Sequence, residues 1–416
     1  MSGGVVQLVA TGPQDTWLTC KPEVSFFRTN YKRYTHYASS VERQVIQGNP
    51  IAGGISTIRF EKKGDLLSYV YLTATDANGS GVSSLDWTKV IDKIDLYVGG
   101  QIVDTHDIEY MTSVEPVTGA QSFSQRSLNQ ISSTFNNQLQ SFLPIKFFFC
   151  KDWSVSLPLI GLQFHDVELR ITWSANLTTS LPAGYGYTSP GSTGNYGSLQ
   201  YQCWTNFIYL DQGERDYFAK TPQDLLITQV QRVVIGTNPV QELALAQPVK
   251  FLAFSGINYA STYMNGNPGT AGGGSAACTY LQLKTQVNGI DVGDSRPLIH
   301  WQDVPQYYNT PFAYATNTGA NLTTNNVIII PYCLDTSKLQ PTGTLNFSRL
   351  DNYRLVVPAS LSITSGGTTY KGISALQNNN AAGAAGGFNY TVHYIYAVSY
   401  NIFRIQNGLG SLLYAN

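Results

Sequence analysis

The chain has 416 residues, a formal net charge of −1 and only 12% charged residues, about half the usual share of a soluble domain. This charge gives no electrostatic footprint for nucleic acid, so no direct contact with nucleic acid is predicted. The longest apolar runs, Val327–Ile330 and Phe147–Cys150, are far shorter than the roughly 20 residues of a membrane span. The length exceeds one typical core and fits two β domains of about 200 residues each.

The composition favours a β protein whose surface carries few charges. Hydrophobic residues make up 43% of the chain, with 38 Gly, 27 Tyr and 18 Phe, which are residues of strands and turns. The five cysteines are odd in number, scattered and without CxxC spacing, which predicts free buried thiols and a reducing compartment. The N-terminus lacks the basic region and apolar run of a signal peptide, so we expect a soluble protein made in the cytosol.

The first 38 residues read as two segments. Residues 1–24 are small, polar and weakly periodic, and are predicted to form an N-terminal arm. Residues 25–38, SFFRTNYKRYTHYA, alternate aromatic and basic side chains, a pattern that can stack single-stranded bases. Because the whole chain has no net positive charge, the favoured interpretation is a strand whose aromatic side chains pack.

The rest of the first half shows closely spaced strand patterns. Gly99-Gly100 between two apolar runs predicts a hairpin, and residues 107–137 break the pattern with a short helix and a long loop. The stretch 157–173, LPLIGLQFHDVELRITW, alternates apolar and polar residues, with a shift of one place at His165-Asp166. It is predicted to be one long strand with a bulge at the shift.

The second half repeats this order. Residues 211–224 are polar and contain Pro222, which predicts the domain boundary. Asn288-Gly289 predicts a matching hairpin, residues 297–308 a helix, and residues 344–357 a second long strand. The prediction is therefore an all-β chain with two tandem eight-stranded jelly rolls and short helices in inserted loops. The boundaries are 1–24 for the arm, 25–212 for the first jelly roll, 213–224 for the linker and 225–416 for the second jelly roll.

No motif for catalysis or cofactor binding is present, and no catalytic residue, cofactor or metal site is predicted. His165, Asp166 and Glu168 lie within the predicted strand. They could contribute to a glycosidase pair, but no second acidic strand completes it, so a polar strand edge is favoured. Asn-x-Ser/Thr sequons occur at Asn346, which lies in a predicted strand, and at four candidate glycosylation sites beside loops. Those four are Asn78, Asn176, Asn321 and Asn389.

Five segments, in order, resemble the signatures of one family. They are GGVVQLVATGPQDTWLTCKPEVSFFRTNYKRYTHYA near the start, LPLIGLQFHDVELRI, FIYLDQGERDYFA at 207–219, LQPTGTLNFSRLDNYRL, and the terminal YAVSYNIFRIQNGLGSLLYAN. The family is that of the major capsid proteins of nucleocytoplasmic large DNA viruses, such as phycodnaviruses and iridoviruses. The resemblance spans nearly the whole chain.

This resemblance implies a double jelly-roll subunit that trimerises into a pseudo-hexagonal capsomer. Such capsomers tile an icosahedral virus shell around an internal membrane and double-stranded DNA. The implied partners are two further copies, neighbouring capsomers, and minor capsid and penton proteins. The implied location is the virion capsid, with synthesis and assembly in the host cytoplasm.

Two other functions stay open from the sequence. A minor capsid paralogue would use the same fold, and its abundance in purified particles would distinguish it from the major shell protein. A carbohydrate-binding or carbohydrate-active β-sandwich belongs to a different class, and it would need a secretory signal and converging carboxylates.

Overall fold

The computed structural model describes residues 3–29, 31–76, 79, 82, 85–119, 139–140, 142–181, 194–234, 240–257, 282–311, 316–318, 321–323, 327–356, 362–365, 368–371 and 391–414. Within it the chain separates into two compact units, residues 1–37 and 38–416. Five α-helices lie in the described ranges: α1 (Gly3–Gln7), α2 (Thr16–Thr19), α3 (Glu115–Thr118), α4 (Gln212–Lys220) and α5 (Leu298–Asn309). The first two are short helices of the smaller unit.

The first half of the chain forms a sandwich of two five-stranded sheets, which we call the first jelly roll. Its strands are β1 (Tyr37–Gln44), β2 (Ile46–Gln47), β3 (Ile55–Arg59), β4 (Leu66–Thr75), β5 (Leu85–Asp86), β6 (Ile91–Val98), β7 (Gln101–Asp107), β8 (Leu139–Gln140), β9 (Phe142–Ile145), β10 (Leu157–Pro158), β11 (Val167–Trp173) and β12 (Gln200–Leu210). One sheet has the order β1-β12-β4-β10, with β9 also paired to β4, and the other has the order β2-β3-β11-β6-β7.

The second half forms a second sandwich, the second jelly roll. Its strands are β13 (Gln223–Val234), β14 (Val240–Glu242), β15 (Pro248–Ile257), β16 (Gln282–Val287), β17 (Ile290–Pro297), β18 (Thr316–Thr318), β19 (Asn321–Thr323), β20 (Ile328–Pro331), β21 (Leu345–Asn346), β22 (Tyr353–Val356), β23 (Ser362–Ser365), β24 (Thr368–Lys371), β25 (Thr391–Gln406) and β26 (Leu409–Leu412). One sheet has the order β13-β25-β15-β20, with β21 paired to β15 and β26 to β25. The other has the order β14-β22-β16-β17.

The strands of the two jelly rolls correspond one to one in their order within the sheets. Strands β1, β12, β4 and β10 correspond to β13, β25, β15 and β21, and strands β3, β11, β6 and β7 correspond to β14, β22, β16 and β17. In each half the last strands return beside the first ones, which is the double Greek-key arrangement of a jelly roll. The predicted double jelly roll is confirmed.

The hydrophobic core is continuous across the two jelly rolls. One cluster of buried side chains contains most of the first core, including Trp87 and Trp173, together with Phe251, Tyr396 and Phe403 of the second jelly roll. A smaller cluster around Leu252 and Leu355 fills the second jelly roll alone. Burying apolar surface stabilises a fold by roughly 25 cal/mol per Å². The shared cluster therefore stabilises the contact between the two jelly rolls.

Both predicted glycine hairpins are confirmed. Gly99 and Gly100 join β6 to β7 with φ angles of 57° and 82°. Asn288 and Gly289 join β16 to β17 with φ angles of 50° and 82°. Positive φ at both central residues defines the type I′ turn, whose twist matches that of the flanking strands. The predicted helix over 297–308 is also confirmed, as α5.

The two predicted long strands are wrong in the same way. Each stretch contains a two-residue strand (β10 or β21), a 3₁₀ turn, and a strand in the opposite sheet (β11 or β22). The shift at His165-Asp166 is therefore a crossing between sheets and no bulge lies there. Leu162 is buried while Phe164 is 73% exposed, although the alternation placed both on one face. The alternation over Val167–Trp173 is confirmed, with every second side chain buried.

Two further expectations change. Residues 25–36 contain no strand within the described ranges, and Phe26 and Phe27 are 92% and 97% exposed. These two aromatic residues are adjacent, so no single strand face could collect them. The segment predicted as a linker, 213–224, is mostly helix α4 and the start of β13. Arg215 of α4 pairs with Asp65 of the first jelly roll at 3.0 Å.

Candidate assembly surfaces

The edge strand β7 of the first jelly roll packs against the edge strand β13 of the second. Gln229 donates a side-chain hydrogen bond to the carbonyl oxygen of Val103. The backbone N–H of Val230 donates to Oδ1 of Asp104 at 2.9 Å. Gln229 is itself held by Asn401, whose Nδ2 donates to its Oε1 at 2.8 Å. We call this contact between β7 and β13 the internal junction.

A buried acid and histidine lie at the centre of the internal junction. Oδ2 of Asp104 is 2.9 Å from Nε2 of His106, and both side chains are 1% exposed. The His106 ring stacks on Phe147, with centroids 4.4 Å apart, and lies 5.1 Å from the ring of Tyr110. Two backbone N–H groups, of Thr105 and Val230, donate to Oδ1 of Asp104 and offset part of the cost of burying this carboxylate, whereas Oδ2 accepts no hydrogen bond from the described residues. Asp104 therefore has a structural role in joining the two jelly rolls.

A second acid closes the other end of the internal junction. Nη1 of Arg232 donates to Oδ2 of Asp107 at 2.9 Å, and the hydroxyl of Tyr396 donates to the same oxygen at 3.3 Å. Burial raises the pKa of Asp107 above its ordinary value, and the neighbouring Arg232 opposes that rise. Burial likewise raises the pKa of Tyr396, so its hydroxyl stays protonated and remains a donor.

The C-terminal hairpin, β25 with β26, adds a second attachment between the two jelly rolls. The N–H of Phe164 donates to the carbonyl of Gly408 at 3.0 Å, and the N–H of Gly410 donates to Nδ1 of His165 at 3.1 Å. Gly408 has φ of 80°, and a Cβ there would lie 2.6 Å from the Phe164 ring. A glycine is thus required where the hairpin approaches the first jelly roll.

The counterparts of the two junction strands lie at free edges. Strand β17 corresponds to β7, and β1 corresponds to β13, but no strand of the described ranges pairs with the outer edge of either. Ile290 and Val292 of β17 are 72% and 53% exposed, and Val41 of β1 is 38% exposed. By contrast, β7 is mostly buried from Val103 onward. Open edges with exposed apolar side chains favour association with another chain.

Helix α5, next after β17 in the chain, carries further exposed apolar side chains. Its side chains Val304, Tyr307 and Tyr308 are all exposed, and the helix follows directly after β17 in the chain. We call β17 with these side chains the open face of the second jelly roll, and β1 the open edge of the first.

The acidic residues considered as a glycosidase pair have structural partners. Asp166 pairs with Arg59 and lies 3.6 Å from Lys62, and Glu168 lies 3.5 Å from Arg170. These groups sit at the surface in ion pairs of modest energy. The favoured interpretation is correct in that these polar groups have structural partners, but β11 is not an edge strand, because it lies between β3 and β6.

Of the four candidate sequons, two lie within the described residues. Asn176 lies in a 3₁₀ turn directly after β11 and is exposed. Asn321 begins β19, while Asn78 and Asn389 lie outside the described residues. The excluded Asn346 is exposed, and its side chain accepts a hydrogen bond from the N–H of Ser348 as the cap of a turn.

The four described cysteines are free, but they are not all buried as predicted. Cys20 is exposed, whereas Cys203 and Cys333 are buried and Cys150 is half-buried. Burial raises the pKa of Cys150 and of Cys203 to about 12, which makes both thiols unreactive at neutral pH. Within the described ranges, no three His, Cys, Asp or Glu side chains gather as a metal-binding group. None of the helices in these ranges has the length and apolar character that a membrane span requires.

The sequence did not reveal the residues of the internal junction. Asp104, His106 and Arg232 are separated by up to 128 positions in the chain, so no local pattern joins them. The one available signal was a pair of acids, Asp104 and Asp107, on a strand next to a tight hairpin. A solvent-exposed strand at this place would be expected to alternate polar and apolar residues.

Comparison with known proteins gives a consistent result over the whole chain. Residues 25–211 match the family described as major capsid protein N-terminus, and residues 214–411 match the family described as large eukaryotic DNA virus major capsid protein. The boundary between the two matches falls at α4, between the two jelly rolls.

Individual relatives agree with the family matches. The major capsid protein of Paramecium bursaria Chlorella virus 1 is 29% identical over 453 residues, covering 100% of both chains. That of Pyramimonas orientalis virus is 26% identical over 446 residues, again covering 100% of both. A chain in a quasi-atomic structure of the Paramecium bursaria Chlorella virus 1 capsid has a TM-score of 0.65 and 25% identity, covering 94% of this chain and 100% of that chain.

Proposed function

The chain belongs to the major capsid proteins of large eukaryotic DNA viruses, and we propose that it acts as a homotrimer whose six jelly rolls form a pseudo-hexagonal capsomer. As a member of this family it is a structural component of the virion capsid. The finer proposal is that the capsomers tile an icosahedral shell. In that shell they contact neighbouring capsomers, minor capsid proteins and penton proteins.

The proposed trimer rests on one observation. Each of the two strands in the internal junction has an equivalent strand in the other jelly roll, and both equivalents have open outer edges within the described ranges. Strand β7 packs on β13 within the chain, while the equivalent strands β17 and β1 remain open. If β17 of one copy packs on β1 of the next, every interface in the assembly becomes a version of the internal junction. Head-to-tail contacts of this kind form a ring when their rotation closes. Three chains then contribute three internal and three intermolecular junctions.

Site-directed cross-linking tests this arrangement. The variant carries Val292→Cys on β17 and Val41→Cys on β1, with Cys20→Ser and Cys278→Ser to remove competing thiols. Treatment with a short bismaleimide should give denatured species of two and three chains and none larger, because the ring closes at three.

Each single-cysteine variant serves as the control. Val292→Cys alone or Val41→Cys alone should give little cross-linking, since head-to-tail packing keeps identical strands apart. A ladder that continues beyond three chains would indicate an open filament. Efficient cross-linking of Val292→Cys alone would indicate a two-fold contact. Either result would refute the ring.

The N-terminal arm is proposed to connect capsomers to one another. Residues 1–24 belong to the smaller compact unit, and Trp17 and Leu18 are 93% and 87% exposed. Apolar side chains this exposed favour a partner surface. The proposed domain limits stay at 25–212 and 225–416, joined by 213–224.

Deleting residues 1–24 should leave trimers intact and abolish or slow assembly into larger sheets. None of the arm's described residues belongs to either core cluster, so its loss should change the unfolding temperature of the trimer little. Native mass measurement and electron microscopy of the assembled sheets provide the two readouts. A truncated chain that fails to fold, or that assembles as well as the full chain, would contradict this role.

Other proposals concern the setting of the protein. The relatives are structural proteins, and a purely structural role without enzymatic activity is proposed for this chain. Synthesis and assembly in the host cytoplasm are proposed, as is the absence of direct contact with nucleic acid. Any glycan is expected at Asn78, Asn176, Asn321 or Asn389, which glycopeptide mass spectrometry of purified particles would detect. The abundance of the chain in such particles would separate this role from that of a minor capsid paralogue.

A further inference from the structure

A cavity of about 590 Å³ lies between the two jelly rolls, and four lysines line it. Its walls come from the turn after β9 and from β13, β15 and β25, so both jelly rolls contribute. The lysines are Lys146, Lys151, Lys250 and Lys338. This volume lies within the range of about 300–1,000 Å³ typical of pockets for small organic molecules.

The four ammonium groups are incompletely neutralised. Lys146 pairs with Glu115 at 2.9 Å, and Lys338 lies 3.8 Å from Asp335. Lys151 donates to the hydroxyl of Thr228 at 2.9 Å, which carries no charge. The only other carboxylate of the described lining, Asp152, accepts hydrogen bonds from Ser154. The cavity therefore has an excess of positive charge.

Lys250 is the most unusual of the four. It is 3% exposed, and its Nζ donates to the carbonyl of Lys338 at 3.1 Å. No carboxylate of the described residues lies within ion-pair distance of this Nζ. Burial, and then the nearby Lys151, lower the pKa of Lys250 to about 8, while the nearby Cys333 and Asp335 oppose this shift, so the ammonium remains mostly charged at pH 7. A buried charge without a counter-ion is unfavourable unless something else compensates it.

A second buried polar group belongs to a residue of the same lining. Tyr400 is 7% exposed and lines the cavity, and its hydroxyl has no hydrogen-bond partner among the described residues. Buried hydroxyls are nearly always hydrogen-bonded. Nζ of Lys250 lies 5.7 Å from the centroid of the Tyr400 ring, so the two residues are neighbours in the lining of the cavity. Burial raises the pKa of Tyr400 to about 12, which keeps the hydroxyl available as a donor.

We propose that this cavity binds a small organic anion, with its anionic head at Lys250, Lys151 and Tyr400 and its apolar body against the aromatic wall. That wall contains Phe142, Phe148 and Phe251. A sulfate, sulfonate, phosphate or carboxylate head would accept hydrogen bonds from all three polar groups. Because residues of both jelly rolls line the cavity, the bound anion would brace the two against each other.

Thermal unfolding of the full-length protein with 1-hexanesulfonate tests the proposal. This probe keeps the same charge between pH 7 and 9, and inorganic sulfate and 1-hexanol supply its head and its body separately. Hexanesulfonate should raise the unfolding temperature in a saturable way, sulfate should need a higher concentration, and hexanol should have no effect. The apparent affinity should fall from pH 7 to pH 9, because Lys250 loses its proton as the pH rises through about 8.

Matched variants locate the site. Lys250→Met keeps the apolar stem and should weaken hexanesulfonate binding at least about tenfold, and Lys151→Met and Tyr400→Phe should each weaken it several-fold. The control is Lys220→Met, whose side chain is 75% exposed on α4. It should bind like the unmodified protein.

Three results would overturn the proposal. The first is that neither anion gives a saturable shift of the unfolding temperature. The second is that all three site variants bind hexanesulfonate with the same affinity as Lys220→Met. The third is that hexanol raises the unfolding temperature as strongly as hexanesulfonate. If Lys250→Met failed to fold, Lys151→Met and Tyr400→Phe would still decide the matter, since neither removes a buried charge.

Discussion

Replacing Asp104 with alanine should lower the free energy of unfolding by about 3–5 kcal/mol, because it removes one partner of a buried polar pair. The N–H groups of Val230 and Thr105 donate to Oδ1 of Asp104 at 2.9 Å and 3.0 Å. His106 approaches the other oxygen at 2.9 Å. In the variant, the two N–H groups stay in the internal junction without this acceptor, and the buried His106 loses the neighbouring carboxylate.

Chemical denaturation of the purified protein measures this loss, and two variants calibrate it. Asp104→Asn retains one acceptor oxygen and should lose clearly less stability than the alanine variant. Asp291→Ala, on the equivalent hairpin of the second jelly roll, removes a 48% exposed side chain and should cost about 1 kcal/mol or less. If Asp104→Ala cost no more than Asp291→Ala, the buried pair would not hold the two jelly rolls together.

Introducing two lysines on β17, Ile290→Lys with Val292→Lys, should leave the chain folded and convert the trimer to single chains. Both side chains are more than half exposed in the isolated chain, so each substitution should change its stability by about 0.5 kcal/mol or less. In the proposed ring, both residues lie against β1 of the next copy, where unpaired ammonium groups would be desolvated.

The matched control is Tyr217→Lys. Tyr217 is 57% exposed on helix α4 and belongs to neither β17 nor β1, and this variant should remain trimeric. Sedimentation velocity at micromolar concentration gives the mass of each variant. Persistence of three chains in the double lysine variant would place the intermolecular contact elsewhere on the surface.

Local sequence signals predicted the parts of the fold that depend on neighbouring residues. The Gly99-Gly100 and Asn288-Gly289 turns need positive φ at both positions, which few residues other than glycine and asparagine adopt readily, so the hairpins could be recognised. The alternation over Val167–Trp173 reflects one buried face, and it was also correct. The matching order of these signals in the two halves led to two tandem jelly rolls.

The errors arose where tertiary packing decides the structure. The stretch from Leu157 to Trp173 keeps an apolar alternation although the chain changes sheets within it, because residues of both sheets point into the same core. The aromatic and basic residues of the segment 25–36 were predicted to form a strand, but its described residues form none, and Phe26 and Phe27 are exposed. The charged cavity between the jelly rolls includes Lys146 and Lys338, which no local pattern could bring together.

The mass of the unmodified protein in native buffer tests the trimer most directly. The head-to-tail ring predicts a single species of three 45.6 kDa chains, stable on dilution to micromolar concentration. A stable single chain at that concentration, or a closed assembly of two chains, would contradict the ring and the proposed capsomer.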